Sequence, residues 1–316
     1  MALKSFSVSA PGSIMLLGEH AVLHGYPALV CAINRRLRVT LTPRPDDQIH
    51  IHSDRLGEFI GSRSRIVLTT PFQFILASIQ PFEYQLPSGF DLSIQSEFSA
   101  TIGLGSSAAV TVTTLAVLQR WLTHTIDPDE IYSLGYKIIQ TVQGIGSGAD
   151  IAASVFGGLL YYRRDPFQIK TLPCFSPISL VYTGYKTPTP VVVEQVLKQA
   201  EKNPKKFNQL YRLISACVEA GTLAIQQENW MQLGEIFNQH YQLQCELGVS
   251  DPIIESLIKK IQQSPSVLGC KISGSGLGDC VVALGELSID DFPAPHQLIN
   301  IEIATTGLRD ETTSHR

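Results

Sequence analysis

The sequence carries little charge, and neither sign dominates. Charged residues make up 16% of the 316 residues, and 24 Lys and Arg against 28 Asp and Glu give a formal net charge of −4. Nucleic-acid-binding domains usually carry a basic patch, and disordered acidic chains have few apolar residues, whereas 44% of this chain is hydrophobic. The composition therefore predicts a globular protein with a substantial core and no nucleic-acid partner.

Long apolar segments and paired cysteines are also missing. The longest uninterrupted apolar run, at residues 28–33, has about six residues, whereas a membrane helix needs about twenty. Ser, Pro and Gly interrupt the N-terminal segment, which a secretory signal would fill with apolar side chains. The six cysteines form no C-x-x-C pair, which favours reduced core thiols over zinc ligands or disulfides. We therefore expect a cytoplasmic protein with no membrane contact.

Signatures of the common nucleotide-binding folds are absent. The chain has no Gly-Lys dipeptide, which excludes a P-loop, and it has neither H-R-D nor D-F-G of the protein kinases. GLGSSA at residues 103–108 matches the dinucleotide pattern G-x-G-x-x-G/A, but a second helix follows it instead of the required strand. Any nucleotide is therefore expected to bind by another design.

Strand and helix patterns divide the chain into two parts. Residues 5–102 show β-branched or alternating runs, including ALVCAI, LRVTLTP, QIHIHS and RIVLTT. A small-residue apolar helix is predicted after Gly105, and Asp127 followed by Pro128 and Glu130 predicts the capped start of the next helix. Residues 190–263 are helix-rich before strands return. This order predicts an α+β fold with lobes at 1–165 and 166–316 and a cleft between them.

Two glycine-rich segments in the first half carry candidate chemistry. Residues 10–29, APGSIMLLGEHAVLHGYPAL, place Glu19 and His20 in a glycine bend, which taken alone is more often only a turn. Residues 103–109, GLGSSAA, open a helix without a capping residue, so its first amides and its dipole favour an anion. The hydroxyls of Ser106 and Ser107 can bind phosphate or magnesium, and phosphate binding is the favoured interpretation.

Two further segments are ambiguous by themselves. Residues 273–280, SGSGLGDC, form a flexible turn that could wrap phosphate or simply join two elements. Residues 143–158 hold Asp150 as a lone carboxylate among small and apolar residues. Asp150 could cap the following helix, or it could serve as a catalytic base that accepts a proton from a substrate hydroxyl.

These four segments, in this order, resemble the GHMP small-molecule kinases, which include galactokinases, homoserine kinases, mevalonate kinases and phosphomevalonate kinases. GEHAVLHG at residues 18–25 is most similar to mevalonate kinases, whereas GSGAD at 146–150 and Asp279-Cys280 are similar to phosphomevalonate kinases. The resemblance implies a two-lobed fold with a ribosomal-protein-like N-terminal lobe and a ferredoxin-like C-terminal lobe. It also implies ATP and Mg²⁺ as cofactors.

The resemblance assigns roles to individual residues. It implies that Asp150 takes the proton as the substrate oxygen attacks the γ-phosphorus, and that Ser107 contacts Mg²⁺. Substrate contacts are expected from Glu19, His20, Gly274 and Ser275. ATP contacts are expected from Gly103, Leu104, Gly105, Ser106, Ser107 and Ala108.

The chain departs from the family pattern at two positions. Ser13 stands where mevalonate kinases usually have a lysine, so no cation is expected beside Asp150. The family's metal-binding glutamate corresponds by ungapped counting to Ile139, and residues 131–149 contain no acid at all. Magnesium would then depend on Ser107, ATP oxygens, water and Glu19.

The leading hypothesis is ATP-dependent phosphorylation of the primary alcohol of mevalonate in isoprenoid precursor synthesis. Phosphomevalonate is an alternative acceptor, but its phosphate would need additional cations, so Lys4, Arg35, Arg36 and Arg38 would have to face the cleft. A second alternative, suggested by Ser13 and the missing acid, is a catalytically weak ligand-sensing protein. The oligomeric state is left open, with a homodimer as one option.

Overall fold

The computed structural model describes residues 5–99, 101–175 and 177–312, and two β-sheets organise them. The first sheet contains eight strands, namely β1 (Phe6–Leu17), β2 (Ala28–Pro43), β3 (Gln48–Ser53), β4 (Gly57–Ser62), β5 (Phe90–Ser96), β6 (Leu159–Arg163), β7 (Gln168–Leu172) and β12 (Arg309–Asp310). Its strand order is β12-β1-β2-β5-β3-β4, with β6 beside β2 and β7 beside β6. All pairs are antiparallel except β3 with β5.

The long strand β2 joins two predicted strands into one. ALVCAI pairs with β6 and LRVTLTP pairs with β5, so one continuous strand serves two neighbours. The strand expected at RIVLTT, residues 65–70, does not form. Val67 and Leu68 are exposed there, and apart from one isolated bridge at Arg65 the segment has no strand to pair with. A β-branched run without a partner or a buried face does not make a strand.

Four helices cover the first sheet, α1 (Gln73–Ile79), α2 (Ser106–Thr123), α3 (Pro128–Gln143) and α4 (Ala149–Phe156). The predicted cap at Asp127 is confirmed, because its side chain accepts hydrogen bonds from the amides of Asp129 and Glu130. The buried Gln119 of α2 then bridges this turn. Its Oε1 accepts from the Asp127 amide at 2.7 Å and its Nε2 donates to Glu130 at 2.6 Å.

The second sheet and its helices form the other half of the molecule. Its strands are β8 (Ile178–Tyr182), β9 (Val267–Ser273), β10 (Cys280–Gly285) and β11 (Gln297–Ile301), in the antiparallel order β11-β8-β10-β9. The helices are α5 (Thr189–Lys202), α6 (Pro204–Gln226), α7 (Trp230–Leu247) and α8 (Pro252–Gln262), with α7 and α8 packed on β9. Short 3-10 helices span Ala21–His24, Gln80–Gln85 and Ile289–Asp291. The α+β prediction is therefore confirmed.

The end of the chain returns to the first sheet. Ile303 makes a bridge to Ile33, and β12 pairs with β1. Strands β7 and β12 thus belong to the first sheet although they follow residue 165. The division at 165/166 stays a prediction. The strand pairing shows that the chain passes from the first sheet to the second after β7 and returns to the first sheet after β11.

In the described part of the chain, no helix combines the length and the apolar character that crossing a bilayer requires.

Candidate active site

A cavity of about 330 Å³ lies where the glycine-rich turns of both lobes meet. It brings together nearly all of the predicted site residues, which line it as Glu19, His20, Gly103, Gly105, Ser106, Ser107, Ala108, Asp150, Gly274 and Ser275. Leu104 is the exception. Its side chain is buried in the core, and its carbonyl accepts a hydrogen bond from the Ser13 amide at 3.1 Å. Leu104 therefore anchors the glycine-rich loop at residues 103–105 to the core and to β1, and its side chain does not line the cavity.

One end of the cavity is formed by the start of α2. Gly105 precedes the helix in a left-handed conformation with φ of 67°, and no side chain caps the first turn. A Cβ atom on Gly105 would lie 2.0 Å from Ser13 Oγ, so only glycine fits there. The free amides of the first turn and the positive end of the helix dipole therefore make an anion site beside Ser106 and Ser107.

Asp150 faces this anion site from the first turn of α4. Gly148, with φ of 88°, occupies the N-cap position, so Asp150 lies inside the first turn and not at the cap. Its Oδ1 instead accepts a hydrogen bond from Ser13 Oγ at 2.7 Å. The carboxyl group opens to the cavity yet lies deep enough that burial raises its pKa, against the opposing effects of Ser13 and Lys186. The geometry thus favours the base interpretation over the helix cap.

The expectation that no cation accompanies Asp150 is wrong. Lys186 lines the same cavity as Asp150, and its charge opposes the rise that burial causes in the Asp150 pKa, although Lys186 comes from the loop after β8 and not from position 13. The Nζ atom of Lys186 lies 3.3 Å from Oδ1 of Asp279. Burial raises the pKa of Asp279, and Lys186 opposes that effect. Two carboxylates and one ammonium group therefore share this end of the cavity.

The third glycine-rich turn forms a further part of the cavity wall. Gly274 and Ser275 line the cavity, and Asp279 ends the turn in a left-handed conformation with φ of 63°. The Ser275 carbonyl accepts a hydrogen bond from His20 Nε2 at 2.8 Å. Because a carbonyl can only accept, Nε2 of His20 carries the proton, and burial lowers the pKa of this imidazole. His20 is thus a neutral link between the first and third segments.

Glu19 lies at the cavity wall in a sealed ion pair. Its Oε1 pairs with the Nζ atom of Lys271 from β9, and the two side chains are 3% and 0% exposed. This pairing engages the carboxylate that we expected to contact Mg²⁺. The geometry therefore favours a role for Glu19 on the substrate side, with Lys271 holding it, over the expected role as a metal ligand.

His240 completes the buried cluster as a neutral side chain. Its Nε2 lies 3.5 Å from Oε2 of Glu19, but the same nitrogen accepts a hydrogen bond from the Gly18 amide at 3.1 Å. Burial, followed by the nearby charge of Lys271, lowers the pKa of His240 far below its usual range. The contact with Glu19 is therefore not an ion pair.

Magnesium finds few protein ligands at this site. The described residues contain no group of three or more His, Cys, Asp or Glu side chains arranged to hold a metal. Ile139 lines the cavity with an apolar side chain, as the departure from the family pattern predicted. Since Mg²⁺ usually keeps several waters and binds through phosphates, the Ser107 hydroxyl fits a magnesium ion that arrives with the nucleotide.

Of the basic residues required by the phosphomevalonate alternative, Arg35, Arg36 and Arg38 do not line the cavity. Arg36 donates to the carbonyls of Ser9, Thr306 and Gly307 at 2.9, 3.2 and 2.7 Å. Arg38 pairs with Glu311. Their cations therefore fasten the end of the chain to the first sheet. Arg35 likewise reaches the Asn300 carbonyl, at 3.5 Å, and Lys4 lies outside the described residues.

Three residues of the site were not found from the sequence as functional candidates. Lys271 stands out in hindsight as a lone charge inside the apolar strand CKIS, a signal of a buried ion pair. Lys186 and His240 gave no such signal, because their local sequences are those of an ordinary loop and an ordinary helix. Only the packing of the two lobes brings Lys271 and His240 against Glu19 and places Lys186 in the same cavity as Asp150.

Family models match three parts of the chain. The model for the GHMP kinases N terminal domain matches residues 73–158, and that for GHMP kinases C terminal matches residues 222–292. A galactokinase galactose-binding signature matches residues 2–43. The matched ranges include the second glycine-rich segment, Asp150 and the third turn.

Individual relatives agree with the family models. A mevalonate kinase from Thermococcus sibiricus is 32% identical over 295 residues, which cover 87% of this chain and 88% of that protein. A crystal structure of L. major mevalonate kinase in complex with R-mevalonate matches with a TM-score of 0.73 at 25% identity, over 90% of this chain and 87% of that one. The Methanococcus jannaschii mevalonate kinase has the same fold, with a TM-score of 0.79 at 21% identity over 94% of this chain and 98% of that chain.

Proposed function

Since this chain belongs to the GHMP kinases, in the group of the mevalonate kinases, we propose that it transfers the γ-phosphoryl group of ATP to the primary hydroxyl of mevalonate. The product is 5-phosphomevalonate, an isoprenoid precursor. One observation carries the proposal. The carboxylate of Asp150 faces the open start of α2 across a single cavity, which is the arrangement that phosphoryl transfer to an alcohol requires.

The first turn of α2 would hold the triphosphate. Its unbonded amides, together with the hydroxyls of Ser106 and Ser107, offer donors to phosphate oxygens, and Gly103 and Gly105 line the same cavity. Magnesium would bind through the Ser107 hydroxyl, and it would supply charge neutralisation on the phosphates. The helix is formed without the nucleotide, so its first amides need little reorganisation to receive the phosphates.

Asp150 would accept the proton of the attacking hydroxyl. Ser13 occupies its Oδ1, which leaves Oδ2 for the substrate and fixes the plane of the carboxyl group. The substrate itself would lie against Glu19, His20, Gly274 and Ser275, of which Glu19 and His20 are held by Lys271 and by the Ser275 carbonyl. A single lysine and no arginine among the described lining residues suits an acceptor without its own phosphate.

Replacing Asp150 by asparagine tests the proposal. D150N keeps the shape of the side chain but removes its basicity, so we expect ADP formation with mevalonate and Mg-ATP to fall about 10²–10⁴-fold. Binding of ATP, measured by calorimetry, should change little, because the triphosphate site is on α2. D290N on the exposed 3-10 helix is the matched control and should behave as the unchanged protein.

The substrate panel decides between the alternatives. ADP release with phosphomevalonate or galactose, but not with mevalonate, would contradict the proposed acceptor. Binding of nucleotide or small ligand without any transfer would instead support the ligand-sensing alternative. A homodimer and a cytoplasmic location remain predictions, to be checked by light scattering and by cell fractionation.

A further inference from the structure

The described residues that line the cavity supply one cationic side chain, and it comes from an unexpected part of the chain. Among the described residues that line the cavity, Lys186 is the one Lys or Arg. It lies in the loop between β8 and α5, which no part of the proposed mechanism uses. Its side chain is 27% exposed, whereas its partner Asp279 is 3% exposed, so the ammonium group stands at the boundary between a buried carboxylate and the open cavity.

The backbone around Lys186 is fastened to the third glycine-rich turn. The Asp279 amide donates to the Tyr185 carbonyl at 3.0 Å, and Thr187 Oγ1 donates to the Leu277 carbonyl at 2.6 Å. A Cβ atom on Gly278 would lie 2.8 Å from the Tyr185 carbonyl, so the two segments also pack without space between them. Lys186 therefore has fixed neighbours on both sides, and its ion pair with Asp279 holds the side chain itself.

The charges at this end of the cavity would oppose one another without Lys186. Asp150 faces Ser13 from β1, Lys186 from the loop after β8, and Asp279 from the third turn. Glu19 and His20 line the same cavity, but Glu19 is neutralised by Lys271 and burial lowers the pKa of His20. The negative charges of Asp150 and Asp279 disfavour each other, and Ser13 contributes only a neutral hydrogen bond.

From this arrangement we propose that Lys186 is a positioning residue for the transfer, which keeps Asp150 in its proton-accepting, ionised form, and that Asp279 anchors Lys186 for that task. The inference rests on the proposed function, because it assigns a partner to the proposed base. A protonated Asp150 cannot take the proton of the hydroxyl. The cation expected at position 13 is thus replaced by one delivered from the other lobe.

The test compares K186M with K198M, an exposed lysine of α5 paired with Glu194. We expect the acid limb of the kcat profile with mevalonate and Mg-ATP to move to higher pH in K186M. A shift of one pH unit corresponds to about a tenfold change in proton affinity, so kcat on that limb should fall about tenfold. The KM for mevalonate should change little, K186R should retain most of the activity, and K198M should match the unchanged protein.

A readout without turnover separates this inference from the proposed function. The carboxyl stretch of Asp150, obtained by infrared difference between the unchanged protein and D150N, reports its titration even if mevalonate is not the substrate. In K186M this titration should move to higher pH. Adding S13K to K186M places a lysine in the same wall, and it should move both the titration and the kcat limb back.

An unchanged titration of Asp150 in folded K186M would overturn the inference, whatever the substrate proves to be. If K186M fails to fold because Asp279 is left unpaired, K186M/D279N removes both charges and is compared with D279N alone. The Asp150 titration should still lie at higher pH in the double variant, and equal titrations in the two proteins would also overturn the inference.

Discussion

Two ion pairs border the same cavity, and they differ in their access to it. Glu19 and Lys271 are sealed, with exposures of 3% and 0%. In the pair of Asp279 and Lys186 the carboxylate is equally buried, but the lysine is 27% exposed. The buried pair of Glu19 and Lys271 can hold the cavity wall in place. In the open pair of Asp279 and Lys186, the partly exposed ammonium group can also interact with charges that enter the cavity. An ion pair in which both partners are buried thus supports the structure, whereas a pair with one partner exposed to the cavity can also interact with a bound substrate.

Breaking the sealed pair should have the largest effect. K271M leaves the Glu19 carboxylate buried without its partner, so the free energy of unfolding should fall by about 3–5 kcal/mol. Urea denaturation measures this, with K259M on the exposed side of α8 as the matched control. E19Q/K271M should recover much of the lost stability. A K271M protein as stable as K259M would show that the pair does not hold the wall.

Removing the charge of Asp150, which lies in the same cavity as the open pair, should stabilise the fold. Burial raises the pKa of Asp150, so the folded chain binds this proton more tightly than the unfolded chain. The contribution of Asp150 to the free energy of unfolding is therefore fully present below the ordinary carboxyl pKa, near 4. It is lost as the pH rises through the raised pKa of the folded state. At neutral pH, D150N should therefore be more stable than the unchanged protein by about 0.5–2 kcal/mol.

Thermal unfolding as a function of pH checks this sign. The advantage of D150N should shrink as the pH approaches 4, because both proteins then carry a neutral side chain at this position. An advantage that stays constant down to acid pH would show that something other than the ionisation of Asp150 is responsible. D290N serves again as the control and should show no such dependence.

The smallest effect is expected from the neutral partner of Asp150. S13A removes the hydrogen bond at 2.7 Å, which corresponds to about 0.5–1.5 kcal/mol, so kcat should fall about twofold to tenfold. S93A on the exposed side of β5 is the matched control. If kcat fell more in S13A than in K186M, the hydrogen bond from Ser13 would matter more for Asp150 than the charge of Lys186, contrary to our expectation.

Local signals in the sequence predicted the parts of the site that local structure builds. The helix after Gly105 and the cap at Asp127 depend on residues within one turn, and both form as expected. The convergence of the glycine-rich segments with Asp150 followed from the family resemblance, and the cavity brings them together. Propensity alone was insufficient at RIVLTT, which lacks a partner strand.

Contacts between residues far apart in the sequence could not be predicted in the same way. Lys186 meets Asp279 because the loop after β8 hydrogen-bonds to a turn about ninety residues further along the chain. Arg36 was a candidate for binding a substrate phosphate, yet it donates hydrogen bonds to the carbonyls of Thr306 and Gly307. In both cases the sheet topology selects the partner, and the topology is not encoded in the few residues around each side chain.

The return of the last residues to the first sheet has a consequence for synthesis of the protein. Strand β12 and two of the carbonyls bound by Arg36, those of Thr306 and Gly307, come from residues after 302, so the edge beside β1 is uncovered while the earlier residues are translated. An uncovered strand edge invites pairing with other chains. The first sheet, whose other strands are made earlier, therefore cannot be completed until the residues after 302 have left the ribosome.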